Sequence, residues 1–178
     1  MSRSASRIGA ALAALALFLL AGCQTMPKLA TVPSVDLPRF MGDWYVIAAI
    51  PVWIEKNSYN GVESYRLNDN GTIATTYTFR EGGFDGKPKR YTPTGYVRDR
   101  RTNAEWGMQF LWPFRSEYLI TYLADDYSAT VISRSARDSA WIMARTPQIP
   151  EAQLARLTGI LREQGYDVSR LRPVPQRW

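Results

Sequence analysis

A chain of 178 residues that is 46% hydrophobic and 12% aromatic fits one domain with a sizeable core and excludes a disordered polymer. It has one cysteine and no histidine, which excludes disulfides, thiolate metal clusters and the commonest general base, and with them most enzyme classes. Two units of the formal net charge of +6 sit at Arg3 and Arg7 and the other basic residues are scattered, a pattern that suits anionic lipid surfaces better than nucleic acid.

From the amino terminus, Arg3 and Arg7 precede a continuous run of apolar and small residues, 8–20, followed at once by Leu20-Ala21-Gly22-Cys23. This is the layout of a secretory signal peptide over 1–22, and the run is shorter than the roughly 20 residues of a spanning helix. Leu-Ala-Gly-Cys resembles the lipobox of bacterial lipoproteins. The resemblance implies cleavage before Cys23, diacylation of its thiol, acylation of the new amino terminus and, with Gln24 next, sorting to the outer membrane. Lipidation of Cys23 would consume the only thiol. Residues 23–36, with Pro27 and Pro33 among small and polar side chains, read as a lipidated tether to a domain at 37–173.

Asp36 is placed to cap one helical turn ending at Phe40, and Gly42 suits a sharp entry into a first strand over 42–50. Strict alternation puts Trp44, Val46, Ala48 and Ile50 on one face and Tyr45, Ile47 and Ala49 on the other, so both faces are apolar. The connection at 51–60 carries Trp53 and Ile54 where a solvated loop would be polar, which suits a lid. Period-two patterning predicts further strands at 62–67, 72–80, 89–98, 105–110, 117–122, 127–133 and 139–145. Asn68-Asp69-Asn70-Gly71 is a hairpin signal, and Pro93 marks a bulge or an edge. One helix follows, with Pro150 at its first position, Glu151 at the positive end of the dipole, a stripe of Leu154, Leu157 and Leu161, and Gly165 as its stop. These elements predict an all-β fold: an eight-stranded antiparallel up-and-down β-barrel with one C-terminal α-helix packed outside.

Three separated segments resemble the lipocalin family. They are Gly42-Asp43-Trp44-Tyr45, Leu123-Ala124-Asp125-Asp126-Tyr127 with Asp125 where the family usually has threonine, and Trp141-Ile142-Met143-Ala144-Arg145-Thr146-Pro147. Phe110-Leu111-Trp112-Pro113-Phe114 and Gly165-Tyr166-Asp167-Val168 are similar to the bacterial outer-membrane lipoprotein branch, which also resembles apolipoprotein D. The resemblance implies that Arg145 lies across Trp44, and that Gly42, Trp44, Asp126, Tyr127 and Arg145 are structural marks. A guanidinium over an indole face gains about 1 to 2 kcal/mol where water is excluded.

If Trp44 points inward, parity assigns Val46, Ala48, Tyr65, Thr75, Tyr77, Gly95, Val97, Trp106, Met108, Phe110, Ile120, Tyr122, Val131 and Met143 to the interior. The small residues Ala48, Thr75, Gly95 and Ala129 leave room beside an adaptable apolar wall. Glu63 shares parity with Tyr65 and is expected near the open end, meeting either a ligand headgroup or solvent. The resemblance implies a long-chain amphiphile, a fatty acid such as palmitate or a lysophospholipid, bound, stored or transported in the bacterial envelope without catalysis, cofactor or metal. The implied location is the outer membrane, lipid-anchored on its periplasmic face. Two other readings stay open: a lipid-modifying barrel enzyme using Glu63 with a neighbouring tyrosine, and a structural envelope lipoprotein with a filled barrel. Pairing of two chains through the open end is also left open.

Overall fold

The computed structural model describes residues 26–52, 55 and 57–178; the signal-peptide segment, Cys23 and the Trp53-Ile54 pair lie outside the described residues. The Asp36 carboxylate accepts the Arg39 amide at 3.2 Å and caps a single turn, α1 (Leu37–Phe40). Gly42, at φ +92°, makes a bend that a side chain would strain, and opens β1 (Gly42–Ile50). Antiparallel strands follow as β2 (Ser58–Leu67), β3 (Thr72–Glu81), β4 (Lys87–Tyr91), β5 (Thr94–Val97), β6 (Glu105–Leu111), β7 (Phe114–Leu123), β8 (Ala129–Ser133) and β9 (Ala140–Ala144). Pro93 cannot donate to a ladder, and it splits one stave into β4 and β5, both of which pair with β3. Because β9 returns to pair with β1, eight staves close into a barrel. A short β10 (Arg172–Pro173) also pairs with β1.

The helix α2 (Glu151–Glu163) lies on the outside, with Pro150 as its cap residue rather than its first residue. Leu157 and Leu161 are fully buried with Ile50, Ala140 and Ile142 in a second apolar layer between helix and barrel. Gly165, at φ +86°, ends the helix, and the Tyr166 hydroxyl returns to the carbonyls of Arg134 and Ser139.

Two register shifts redistribute the apolar residues between these layers. On β1 the shift falls between Val46 and Ala48, so Trp44, Val46 and Ala49 face the barrel interior while Ala48 and Ile50 face the helix. On β7 it falls between Ile120 and Tyr122, which turns Tyr122 outward, where Arg156 donates to its hydroxyl at 2.8 Å. Val131 pairs with Tyr122 and goes out with it, leaving Ile132 inside. Ala48, Tyr122 and Val131, expected in the interior, therefore lie beneath the helix, and so does Ala129, because one extra residue in a strand inverts every later position.

Both terminal segments are part of the domain. Residues 26–36, expected as a tether, lie along the barrel: Leu29 and Val35 are buried, Val32 donates its amide to Ile120 and Val35 donates its amide to Thr102. At the other terminus, Val174 donates to the Ile47 carbonyl and Gln176 to those of Val46 and Gly61.

One end of the barrel, with the 68–71, 98–104 and 124–128 connections, is closed by α1. The Arg145 guanidinium stands 3.9 Å from the Trp44 ring centroid and donates to the carbonyls of Asp43, Arg39, Phe40 and Met41 at 2.8–3.0 Å. Three of these carbonyls are those a one-turn helix and its exit leave without partners, so the cation sits where the chain is most electronegative. Asp126 accepts the Ser128 amide, and the Tyr127 hydroxyl accepts the Asp36 amide at 2.8 Å, pinning the approach to α1. The other end carries the 51–57, 82–86, 112–113 and 134–139 connections. Arg145→Lys keeps the charge but cannot stack a plane and donate to four carbonyls together, so it is expected to cost about 2 to 3 kcal/mol. Urea unfolding at pH 7 followed by tryptophan emission checks this; an unchanged midpoint would show that charge alone suffices.

Candidate ligand cavity

The lower half of the interior is solid. Trp106 stacks on Tyr118 with centroids 5.1 Å apart and planes 9° from parallel, and Phe40 meets Trp44 at 5.0 Å and Trp106 edge-on at 5.4 Å. Among the residues expected to line a cavity, Val46, Tyr65, Trp106, Ile120 and Met143 belong to this packed floor, with Val97 partly buried beside it. Above it opens a narrow chamber lined by Glu63, Thr75, Tyr77, Met108 and Phe110 from the expected set. It widens into a roomier vestibule bounded by Arg90, Thr92, Pro93, Phe110, Arg134 and Ser139. The chamber is thus shorter than the barrel, and Val46, Tyr65, Trp106, Ile120 and Met143 of its predicted lining are instead its foundation.

Several lining residues were not expected: Val52, Glu55, Ser116, Tyr118, Arg134 and Trp141. Tyr118 and Trp141 share parity with the inward Ile120 and Met143, so strand alternation could have found them. Glu55 comes from the 51–57 connection, where no period exists to read. It is 6% exposed and accepts the Trp141 indole N–H at 2.9 Å.

Glu63 is inside, as parity required, but not near the open end. Its pairing with Trp44 and Tyr77 sets it at the chamber floor, where it is 8% exposed. Its carboxyl accepts from the Tyr65 hydroxyl, which stands 2.6 Å from that of Tyr118. Thr75 Oγ1 and Arg134 Nε, both buried on lining residues, have no hydrogen-bond partner among the described residues. Also among the described residues, no three His, Cys, Asp or Glu side chains gather as a metal site would require.

A closed antiparallel barrel with one plugged end, one outer helix and one open chamber defines a container, and comparison with known proteins gives it a family. The family model described as "Lipocalin-like domain" matches residues 35–176. The chain belongs to the lipocalin family. This lipocalin is 29% identical over 164 residues to the Outer membrane lipoprotein Blc of Escherichia coli K12, covering 89% of this chain and 90% of that one. It is 29% identical over 158 residues to Temperature-induced lipocalin-1 of Arabidopsis thaliana, covering 84% and 83%. Apolipoprotein D of Bos taurus is 26% identical over 146 residues, covering 78% and 75%. Among solved structures, insecticyanin of the tobacco hornworm Manduca sexta superposes with a TM-score of 0.65 at 14% identity, covering 83% and 84%, which shows the shared fold.

At the floor of this lipocalin cavity the Glu63 carboxyl keeps its proton at pH 7, while Glu55, reaching the chamber from the loop, is about half ionised there. Burial raises the Glu63 carboxyl to about 8, with the Glu55 charge adding to the effect, and burial raises Glu55 to about 7 against the opposing Trp141 hydrogen bond. The Tyr118 and Tyr77 hydroxyls are also pushed up by burial and stay protonated. A carboxyl raised from 4.5 to about 8 holds in the folded chain a proton that the unfolded chain releases. Its contribution to stability is therefore complete below pH 4.5 and is lost as the pH rises through about 8. Glu63→Gln cannot ionise and retains an acceptor for Tyr65. It is expected to match the native chain within about 1 kcal/mol at pH 5 and to exceed it by about 2 kcal/mol or more at pH 9. Urea midpoints across pH 5–9 check this, and parallel slopes for the two proteins would refute the buried proton.

Proposed function

We propose that this lipocalin is a lipid carrier of the bacterial envelope, holding a fatty acid or lysophospholipid with its chain in the chamber and its headgroup at the rim. The observation that carries this reading is the one-ended apolar chamber walled by Val52, Pro93, Met108, Phe110 and Trp141, which opens into a wider vestibule. An acyl chain gains about 0.8 kcal/mol for each methylene withdrawn from water, so part of one chain suffices for useful affinity. Arg134 lines both chamber and vestibule, and Arg90 lines the vestibule, which gives an anionic headgroup cationic neighbours at the mouth. A neutral floor supports tail-down entry, because an ionised carboxylate there would oppose the approach of hydrocarbon.

In this reading the protein is exported by residues 1–22 and held by acyl chains on Cys23 at the periplasmic face of the outer membrane. Support comes from Leu20-Ala21-Gly22-Cys23 and from the name of the Escherichia coli relative, an outer membrane lipoprotein. Among the described residues no helix is long and apolar enough to cross a membrane.

A second reading, a lipid-modifying enzyme, is favoured by the contact of Glu63 with Tyr65 and the approach of Tyr118. A carboxyl protonated up to about pH 8 is a poor general base at neutral pH, which places this reading second.

The chain lacking residues 1–23, titrated with a fluorescent long-chain fatty acid, is expected to bind and to change its tryptophan emission through Trp141. Met108→Trp, which fills the chamber, should weaken binding at least about tenfold, and Arg134→Gln should weaken a fatty acid about three- to tenfold while sparing a neutral monoacylglycerol. Affinity should also fall above pH 8 as the floor ionises. Absence of binding would remove the carrier reading, and turnover of a lipid by the native chain but not by Glu63→Gln would replace it with the enzyme.

A further inference from the structure

The turn joining β6 and β7 carries Phe110, Leu111, Trp112 and Phe114, which are 52%, 71%, 81% and 72% exposed. No other stretch of the described residues shows solvent so many large apolar side chains in succession. The register shift between Met108 and Leu111 helps to create the cluster: it ends the inside-outside alternation of β6, so Phe110 and Leu111 are both exposed. A lone soluble domain seldom leaves such a patch uncovered, and tryptophan with phenylalanine and leucine is the composition that settles where water meets acyl chains.

Where the chain leads identifies what covers this patch. The tip lies at the open end, together with the 134–139 connection. Followed backwards, the N-terminal strap climbs from the closed end toward that same rim. Val35 is bonded to Thr102 and Val32 to Ile120; Leu29 donates to Ser135 Oγ at 3.3 Å, and the Pro27 carbonyl accepts from Arg137 at 2.5 Å. Pro27 lies four positions after Cys23, a span of at most about 14 Å. Met26, 51% exposed, adds apolar surface on this path. Basic side chains flank the tip and the neighbouring rim at Lys87, Lys89, Arg90, Arg115 and Arg137. The rim acids Glu81, Asp85 and Asp138 are each ion-paired, with Lys89 at 3.2 Å, Arg177 at 3.8 Å and Arg134 at 3.2 Å, which leaves Lys87, Arg90, Arg115 and Arg137 without an acidic partner among the described residues.

We infer that the apolar tip at 110–114 is a membrane-docking element that seats the open rim against an anionic bilayer surface. The inference deepens the carrier reading and takes from it the acylation of Cys23. A short anchor rising from the rim leaves the barrel no room to turn its mouth away, and the tip enters the leaflet beside the anchor. Phe110 belongs to both the tip and the chamber wall, so a lipid passes from bilayer to chamber along one apolar surface without crossing water.

The test places single thiols in the full chain, Leu111→Cys at the tip and Asp69→Cys in the turn at the opposite end. Each protein is incorporated into vesicles of phosphatidylethanolamine and phosphatidylglycerol, treated with a membrane-impermeant maleimide, and labelling is read by peptide mass. Leu111→Cys is expected to label at least about tenfold more slowly than Asp69→Cys. Equal rates with Cys23 blocked would overturn the docking while leaving the anchor intact. Labelling of Cys23 itself with protection at 111 would support the docking and remove the anchor. Failure of the chain to stay with the vesicles would overturn both, and protection that disappears when the protein is diluted over more lipid would assign the tip to a second copy of the chain.

Discussion

The molecule depends on a cation placed among carbonyls at one end of a barrel. α1 is a single turn, too short to hold itself by its own hydrogen bonds, and its exit leaves the carbonyls of Arg39, Phe40 and Met41 pointing at one place. Arg145 arrives there from the last strand and, with its other face, lies on Trp44. The indole N–H meanwhile takes a further bond to the Phe40 carbonyl at 2.8 Å. First strand, last strand and N-terminal plug are thereby joined through one guanidinium. Phe40, held in this way, becomes the base on which Trp106 and Tyr65 pack, with Tyr118 stacked against Trp106 in turn. A barrel open at both ends would admit water from below; this one is a vessel because its foot is sealed.

The depth of that seal sets the chemistry above it. The aromatic floor reaches Tyr118, and the first group over it is Glu63, so a carboxyl occupies the place where the end of a hydrocarbon ligand would arrive. The protein resolves the conflict by protonation: a neutral carboxyl bonded to tyrosine costs far less in an apolar chamber than an anion would. This choice separates the carrier from the enzyme reading, because the features that keep the floor compatible with lipid are those that withhold a base from it at neutral pH.

Much of the frame was legible in the chain because it rests on local chemistry. The Asp36 cap, the glycine bend at 42, the Pro93 interruption and the leucine stripe of α2 are each set by residue type and spacing, while the Trp44 and Arg145 pair was legible only through the family resemblance. The interior was less legible. From Trp44 to Ile50 both faces of β1 are apolar, so no polar residue marks the extra residue that turns Ala48 away from the barrel, and the same holds near Tyr122 on β7. Glu63 lay on the expected side, but its height depends on the register with Trp44 and Tyr77, a relation between strands that alternation within one strand does not contain. Glu55 had no period to betray it, since it reaches the chamber from a loop.

The two termini run close to the bulges that hid the interior. An extra residue in a ladder turns a carbonyl away from its strand partner, and a buried carbonyl without a donor is costly. Beside the first bulge the Ile47 carbonyl accepts from the Val174 amide, one rung beyond the β1–β10 pairing, and beside the second the Ile120 carbonyl accepts from the Val32 amide of the strap, on the edge where β6 begins. Each terminal segment thus supplies a backbone donor to a wall carbonyl that no neighbouring strand reaches, which gives a physical reason for 26–36 to lie along the barrel instead of trailing as a tether. Because the strap meets β7 at Ile120 before reaching Thr102 and the α1 plug, the upstream residues lie toward Ser135 and Arg137, on the rim that carries the chamber mouth and the apolar tip. The bonds to Thr102, Ile120, Ser135 and Arg137 in turn set the direction of the strap, so the N-terminus departs toward the open end of the vessel.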